Sequence, residues 1–191
     1  GGTTVDSGAL SVDGTLASDV FVNADAILMG SGTIVGDVTI GSEARLGPGN
    51  SPGTLGINGD FSSSGILDFE IGGLGAGQDD VLDILGNASF LTGGSIHFHF
   101  ASGFKAQANN HWDFLIAKSI SGWDNLAVNF HNLDFGLGWK FEQVAYEEGR
   151  ISESLWITQE GGTSSAPEPA TMMLLGLGLM GLTVVRRKAR S

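Results

Sequence analysis

The sequence predicts an all-β chain: a right-handed parallel β-solenoid with rungs of 18 residues, closed by a β-rich, sandwich-like cap and followed by one C-terminal transmembrane helix. Three observations carry that expectation. Apolar residues recur 18 apart, as Leu10, Leu28 and Leu46 and again as Leu16, Ile34 and Pro52. Gly occurs 31 times in 191 residues, well above the ordinary ~7%, while Pro occurs four times, so corners are plentiful without a Pro-rich tract. Finally, 16 uncharged residues, Ala170 to Val185, lead into Arg186, Arg187, Lys188 and Arg190.

Residues 1–71 are read as the solenoid rungs. The segment from Val20 to Leu28 overlies Val38 to Leu46, and Gly14-Thr15-Leu16 overlies Gly32-Thr33-Ile34. Alternating apolar residues give short strands, with Asp-Gly, Gly-Ser and Asn-Ala-Asp at the corners. Stacked at ~4.8 Å, such rungs bury columns of inward residues that no single rung could bury alone. Leu10, Leu28 and Leu46 form one expected column. Three rungs are near the minimum for stability, which fits further rungs upstream of Gly1. The opening Gly1-Gly2-Thr3 lacks Met, so the reading expects a removed signal peptide or a longer parent chain.

Gly47 to Leu55 (Gly-Pro-Gly-Asn-Ser-Pro-Gly-Thr-Leu) interrupts the register by one residue and reads as a rigid turn between rungs. Together with Gly30 to Ile34, this string resembles the passenger repeats of autotransporter-type adhesins, loosely from Gly8 to Ile71. The resemblance implies solenoid architecture and surface location, and brings no catalytic residue with it. Phe61 to Ile71 supplies one more rung. The Gly-rich connection, residues 72–78, is the expected domain boundary.

Residues 79–160 hold the four His and most of the aromatics. Strands are expected at 81–84, 88–91, 95–100, 112–117, 126–130, 139–146 and 154–158. They form either a sandwich-like cap domain or wider closing rungs of the same solenoid; a cap is needed because the last rung otherwise exposes an edge. Residues 161–169 are a polar linker.

Charge is segregated. Five cations face 21 acids before Ala170, a balance of −16, which argues against nucleic acid and anionic lipid as partners. Cys is absent, so an exported fold would use no disulfides.

Several residues bear on chemistry. His97 and His99 flank Phe98, so both imidazoles share a strand face; His111, His131 or Asp113 would be needed to complete a metal site. A solvated strand face gives the same pattern, and the reading assigns no metal and no cofactor. Asp79, Asp80 and Asp83 are hard-oxygen candidates for Ca²⁺, without an EF-hand or nonapeptide pattern. Trp112, Trp123, Trp139 and Trp156 serve either sugar stacking or the core. The carboxylate pairs Asp68/Glu70 and Glu147/Glu148 have no enclosing site for glycoside hydrolysis. Gly49-Asn50-Ser51-Pro52-Gly53 spells a nucleophile elbow but leads into a strand, not a helix, so it is read as a chance match. The chain is expected not to be an enzyme.

The tail is the most specific part. As a helix at ~1.5 Å per residue, Ala170 to Val185 would span about 24 Å, short of a ~30 Å hydrocarbon core by a margin that snorkelling side chains absorb. The basic residues 186–191 hold the end in the cytoplasm and place the rest across the membrane. Pro167, Glu168 and Pro169, the apolar span and the Arg-rich end together resemble the PEP-CTERM sorting signal of Gram-negative bacteria. That resemblance implies a membrane-embedded exosortase as partner, cleavage near the triplet, and transient residence in the inner membrane before the cell surface or extracellular matrix. Pro167 and Pro169 disfavour helix at the triplet, so an extended peptide is expected there, with Glu168 as the recognition centre. The favoured function is a structural surface or matrix protein; the alternative is an adhesin or polysaccharide-binding module, with exopolysaccharide as a further partner.

Overall fold

Alternating apolar residues between polar corners make strands that each pair with the strand three places along. A computed structural model describes residues 1–159. The linker over 161–169 with its Pro167–Pro169 triplet, the expected membrane helix over 170–185 and the basic tail lie outside the described residues. Among the described residues no helix is long and apolar enough to cross a membrane.

The first coil consists of β1 (Thr3–Val5), β2 (Gly8–Ser11) and β3 (Thr15–Leu16), and the second of β4 (Val20–Val22), β5 (Ala26–Gly30) and β6 (Thr33–Ile34). The third has β7 (Val38–Ile40), β8 (Arg45–Pro48) and β9 (Thr54–Ile57); the fourth has β10 (Phe61–Ser63), β11 (Ile66–Ile71) and β12 (Val81–Ile84). The fifth has β13 (Asn87–Phe90), β14 (Ser95–Phe100) and β15 (His111–Ala117), after which come β16 (Ser119–Ser121) and β17 (Ala127–His131). Sheet one runs β1-β4-β7-β10-β13-β16 and sheet two β2-β5-β8-β11-β14-β17. Sheet three starts β3-β6-β9-β12-β15. Pairing within these series is parallel throughout, the connectivity of a three-sided solenoid.

The Leu column forms as expected and runs further. Leu10 pairs with Leu28, Leu28 with Leu46, Leu46 with Leu67, Leu67 with Ile96 and Ile96 with Val128. From Leu28 to Ile96 its members are buried, and Leu10 is packed against the core. The second expected column needs correcting at one position. Leu16 pairs with Ile34, but Ile34 pairs with Ile57, not Pro52, and Ile57 pairs with Ile84.

The reason is that the coil is not constant. From Asp19 the first corner recurs after 18 residues at Asp37, then after 23 at Asp60, 27 at Asn87 and 32 at Ser119. Turns inserted at 49–53, 72–78 and 101–110 account for the growth. Strands of the second sheet lengthen with it, from four residues in β2 to six in β11 and β14, and larger side chains fill the wider interior. Phe69 and Phe98 stack at 5.8 Å, and Phe114 meets Phe98 edge-on at 4.9 Å.

The same corner carries a hydrogen-bond ladder. An Asp19 carboxylate oxygen accepts the Asp37 N–H at 2.9 Å, Asp37 accepts the Asp60 N–H at 2.8 Å, and Asp60 accepts the Asn87 N–H at 2.8 Å. Each carboxylate satisfies a backbone donor that the turn would otherwise leave to water, as an N-cap does for a helix. Asp37→Ala removes one such acceptor and is expected to cost about 1 kcal/mol, readable as a lower urea midpoint with an unchanged slope.

The Gly-rich connection over 72–78 is not a domain boundary. It is an excursion within the fourth coil: β11 before it and β12 after it both pair with the third and fifth coils. Its backbone is tied down, with Gly72 N–H donating to Gln78 O at 2.6 Å and the Trp112 indole to Gly73 O at 2.6 Å. Nor is the segment from 79 onward a separate sandwich-like domain. Its strands through β17 are wider rungs of the same solenoid, the second of the two expected alternatives. Among the described residues, antiparallel strand pairing, apart from isolated bridges at Gly30/Gly49 and Ile71/Asp79, belongs to β18 (Leu137–Ala145) and β19 (Ile151–Gln159), a hairpin that joins sheet three through β15. Phe141 on β18 reaches Phe98, Phe114 and Trp123, so the hairpin closes the aromatic end of the core.

Candidate functional site

On the second sheet, inward residues alternate with a polar outer face. Along β11, Leu67, Phe69 and Ile71 are buried while Asp68 and Glu70 face outward; along β14, Ile96, Phe98 and Phe100 are buried while His97 and His99 face outward. Parallel register stacks Asp68 beside His97, Glu70 beside His99, and His99 beside His131 on β17. Three successive coils therefore present two carboxylates and three imidazoles on one patch.

The contacts converge on one oxygen. Asp68 Oδ1 lies 3.1 Å from His99 Nε2 and 3.4 Å from His97 Nδ1, while Asp68 Oδ2 accepts from Arg45 at 2.7 Å. Ser95 Oγ lies 3.1 Å from His97 Nε2, and the His99 and His131 rings stack at 4.3 Å within 3° of parallel. One ring nitrogen from each of His97, His99 and His131 falls within 4.8 Å of the other two. Burial lowers the His97 imidazole below its ordinary value, with the Asp68 carboxylate pulling the other way. A neutral imidazole is the form that ligates metals.

Beside the patch, the 49–53 turn walls a cleft of about 320 Å³ lined by Met29, Pro48, Ser51, Glu70, Asp80 and His99. Ser51 donates to Glu70. The turn is held from beneath by Asp80, whose carboxylate accepts from Gly53 N–H at 2.9 Å and from Glu70 N–H at 2.7 Å. Burial pushes Asp80 up to about 6.

The other sequence candidates are placed differently. Asp80 is spent on the turn and Asp83 pairs with Arg150, so two of the three Ca²⁺ candidates already have protein partners. Asp79 is raised by burial and by the neighbouring Asp113. Ser51 sits between β8 and β9, a strand-to-strand turn and not the strand-to-helix elbow of a hydrolase. Glu147 and Glu148 are exposed in the hairpin turn. Trp112 and Trp123 are buried, Trp139 packs between Phe130 and Phe141, and Trp156 stacks on His111 at 4.1 Å. His111 and Asp113 thus belong to sheet three, away from the histidine patch. Pro167, Glu168, Pro169, Arg186, Arg187, Lys188 and Arg190 lie outside the described residues.

Sequence reasoning placed His97 and His99 on one face but did not single out His131 from the other possible partners. It saw Asp68 only as half of a carboxylate pair. The signal that identifies both is the register of the fourth to sixth coils, which growing rung length conceals.

A family described as the PEP-CTERM protein-sorting motif matches residues 165–188. The chain therefore carries the sorting signal of exported proteins that exosortase processes. No curated protein matches the chain.

Proposed function

We propose that this chain is a non-enzymatic structural protein of the cell surface or extracellular matrix, a right-handed β-solenoid held at the membrane by its C-terminal helix until exosortase cleaves it. The observation that carries the reading is the sorting motif over 165–188, which follows in sequence an all-β body of mainly parallel strands. Right-handed winding is expected because strand–crossover–parallel strand connections take that hand in about 98% of cases.

Two features support a structural role over chemistry. Of the two carboxylate pairs, Asp68 contacts Arg45 and Glu70 accepts from Ser51, while Glu147 and Glu148 lie exposed in a hairpin turn with nothing to enclose a substrate. The Trp side chains are largely committed to packing, which weighs against a sugar-stacking adhesin. A solenoid with a surplus of negative charge, 21 acids against five cations before Ala170, stays soluble and repels its copies in a crowded matrix.

The test is the intact mass of the protein recovered from its native surface. The expected mature form lacks Ala170 to Ser191, and Glu168→Ala is expected to accumulate with the tail retained. A wild-type mass that still includes Arg186 to Ser191 would make the tail a plain anchor and overturn the processing step.

A further inference from the structure

We infer that His97, His99 and His131 form a binding site for one divalent transition ion of the zinc type on the outer face of the second sheet, with Asp68 as fourth ligand or as the carboxylate that orients the imidazoles. The three ring nitrogens come from two adjacent coils, and Asp68 from a third. Three imidazoles with one carboxylate are a donor set suited to Zn²⁺, Ni²⁺ or Cu²⁺ and poorly suited to Ca²⁺ or Mg²⁺.

The hydrogen bonding around His97 points the same way. His97 lies between Ser95 Oγ, 3.1 Å from its Nε2, and Asp68 Oδ1, 3.4 Å from its Nδ1; in the tautomer protonated on Nε2, Ser95 accepts and the Nδ1 lone pair is free for an ion. His99 Nε2 converges on that same oxygen at 3.1 Å. In the ion-free protein these contacts are met by ring N–H donors, and an ion seated among them would take the place of those protons. The separations of 3.1 and 3.4 Å are close to the edge of a tetrahedron with Zn–ligand bonds of ~2.0–2.1 Å. A ring hydrogen bond of the Ser95 kind also fixes the tautomer of a ligating imidazole. Arg45 holds only Oδ2, so Oδ1 stays available, and the guanidinium limits how much negative charge Asp68 brings to the ion.

The ion would fasten neighbouring coils near the wide end of the solenoid, where a chain without Cys has no covalent cross-link. His131 would close over it by a small rotation from its stack on His99, since it is the exposed member of the three.

The test uses the full chain without a histidine tag, stripped with chelator and titrated with Zn²⁺ by calorimetry. Its fold is checked by circular dichroism. One ion per chain is expected, with a raised melting temperature in excess zinc. His131→Gln is expected to weaken binding roughly tenfold or more, given that even outer partners of a ligand cost 10–100-fold. His111→Gln, on sheet three, should bind as wild type does. Independently of any variant, zinc X-ray absorption should show a shell of imidazole nitrogens. Absence of one-to-one binding, equal losses in the two variants, or a shell of oxygen ligands alone would each overturn the site.

Discussion

Gly59→Ala is expected to destabilise the protein by about 3 kcal/mol or more, at or beyond the upper end of overpacking penalties. Gly59 precedes the Asp60 corner, as Gly36 precedes Asp37 and Gly86 precedes Asn87. A Cβ on Gly59 would lie 2.4 Å from the Gly36 carbonyl oxygen and 2.4 Å from Asp37 Oδ1. On the other side, a Cβ on Gly86 would meet the Gly59 carbonyl at 2.4 Å, so these corners stack backbone on backbone. The Gly36 oxygen cannot retreat, because β7 and β10 are locked in register from Val38/Phe61 to Ile40/Ser63. The Asp37 carboxylate cannot swing away without releasing the Asp60 N–H. The control is Gly14→Ala, where a Cβ meets nothing within 4 Å. There the loss of unfolded-state freedom should leave stability unchanged or raise it by up to ~1 kcal/mol. Urea unfolding of both variants checks the pair; similar midpoints would mean the corners are not sterically closed.

How much of this was legible follows from where the repeat stays regular. Leu10, Leu28 and Leu46 keep an 18-residue spacing, so the column and the parallel stacking could be read directly. Pro52 was assigned to the wrong column because the 49–53 turn delays Ile57 until 23 residues after Ile34. An insertion at a corner changes no strand, yet it shifts every later residue out of the period. The aromatic strands beyond residue 79 looked like a different fold for the same reason. Wider coils need larger inward side chains, and composition alone does not separate a wide rung from a sandwich strand.

The site divides along the same line. His97 and His99 are two apart on one strand, and strand alternation alone puts them on one face. His131 is 32 residues beyond His99, the same separation as the last widened corner, and no local pattern reveals that. Asp68 reaches the histidines through parallel pairing of β11 with β14, a long-range relation. The sorting motif is linear, so its residues were readable without any fold.

A second large effect concerns pH. Burial of Glu153 is expected to lower wild-type stability as pH rises from about 4.5 to about 7, relative to a variant that carries no charge there. The strand was expected to begin at Ser154, but β19 starts at Ile151 and carries Glu153 into the closed end of the core, fully buried beside Leu115 and Gln143. Neither carboxyl oxygen has a hydrogen-bond partner of normal geometry, and the nearby Gln143 amide pulls only weakly against the effect of burial. Burial pushes Glu153 from 4.5 up to about 7. The folded state therefore keeps its proton where the unfolded chain has released it. Below pH 4.5 both states are protonated and this penalty is absent; it grows through the interval and is complete above about 7. At ~1.4 kcal/mol per unit, the total is about 3 kcal/mol. Asp80, pushed from 3.8 to about 6, adds a fall of the same sign at lower pH. Glu153→Gln keeps the shape of the side chain and removes the charge. Asp80 and His97 contribute with opposite signs and alike in both proteins, so the advantage of the variant over wild type should widen between pH 5 and 7.5. Urea unfolding of both proteins across that range is the measurement, and parallel curves would show that Glu153 does not hold its proton in the folded state.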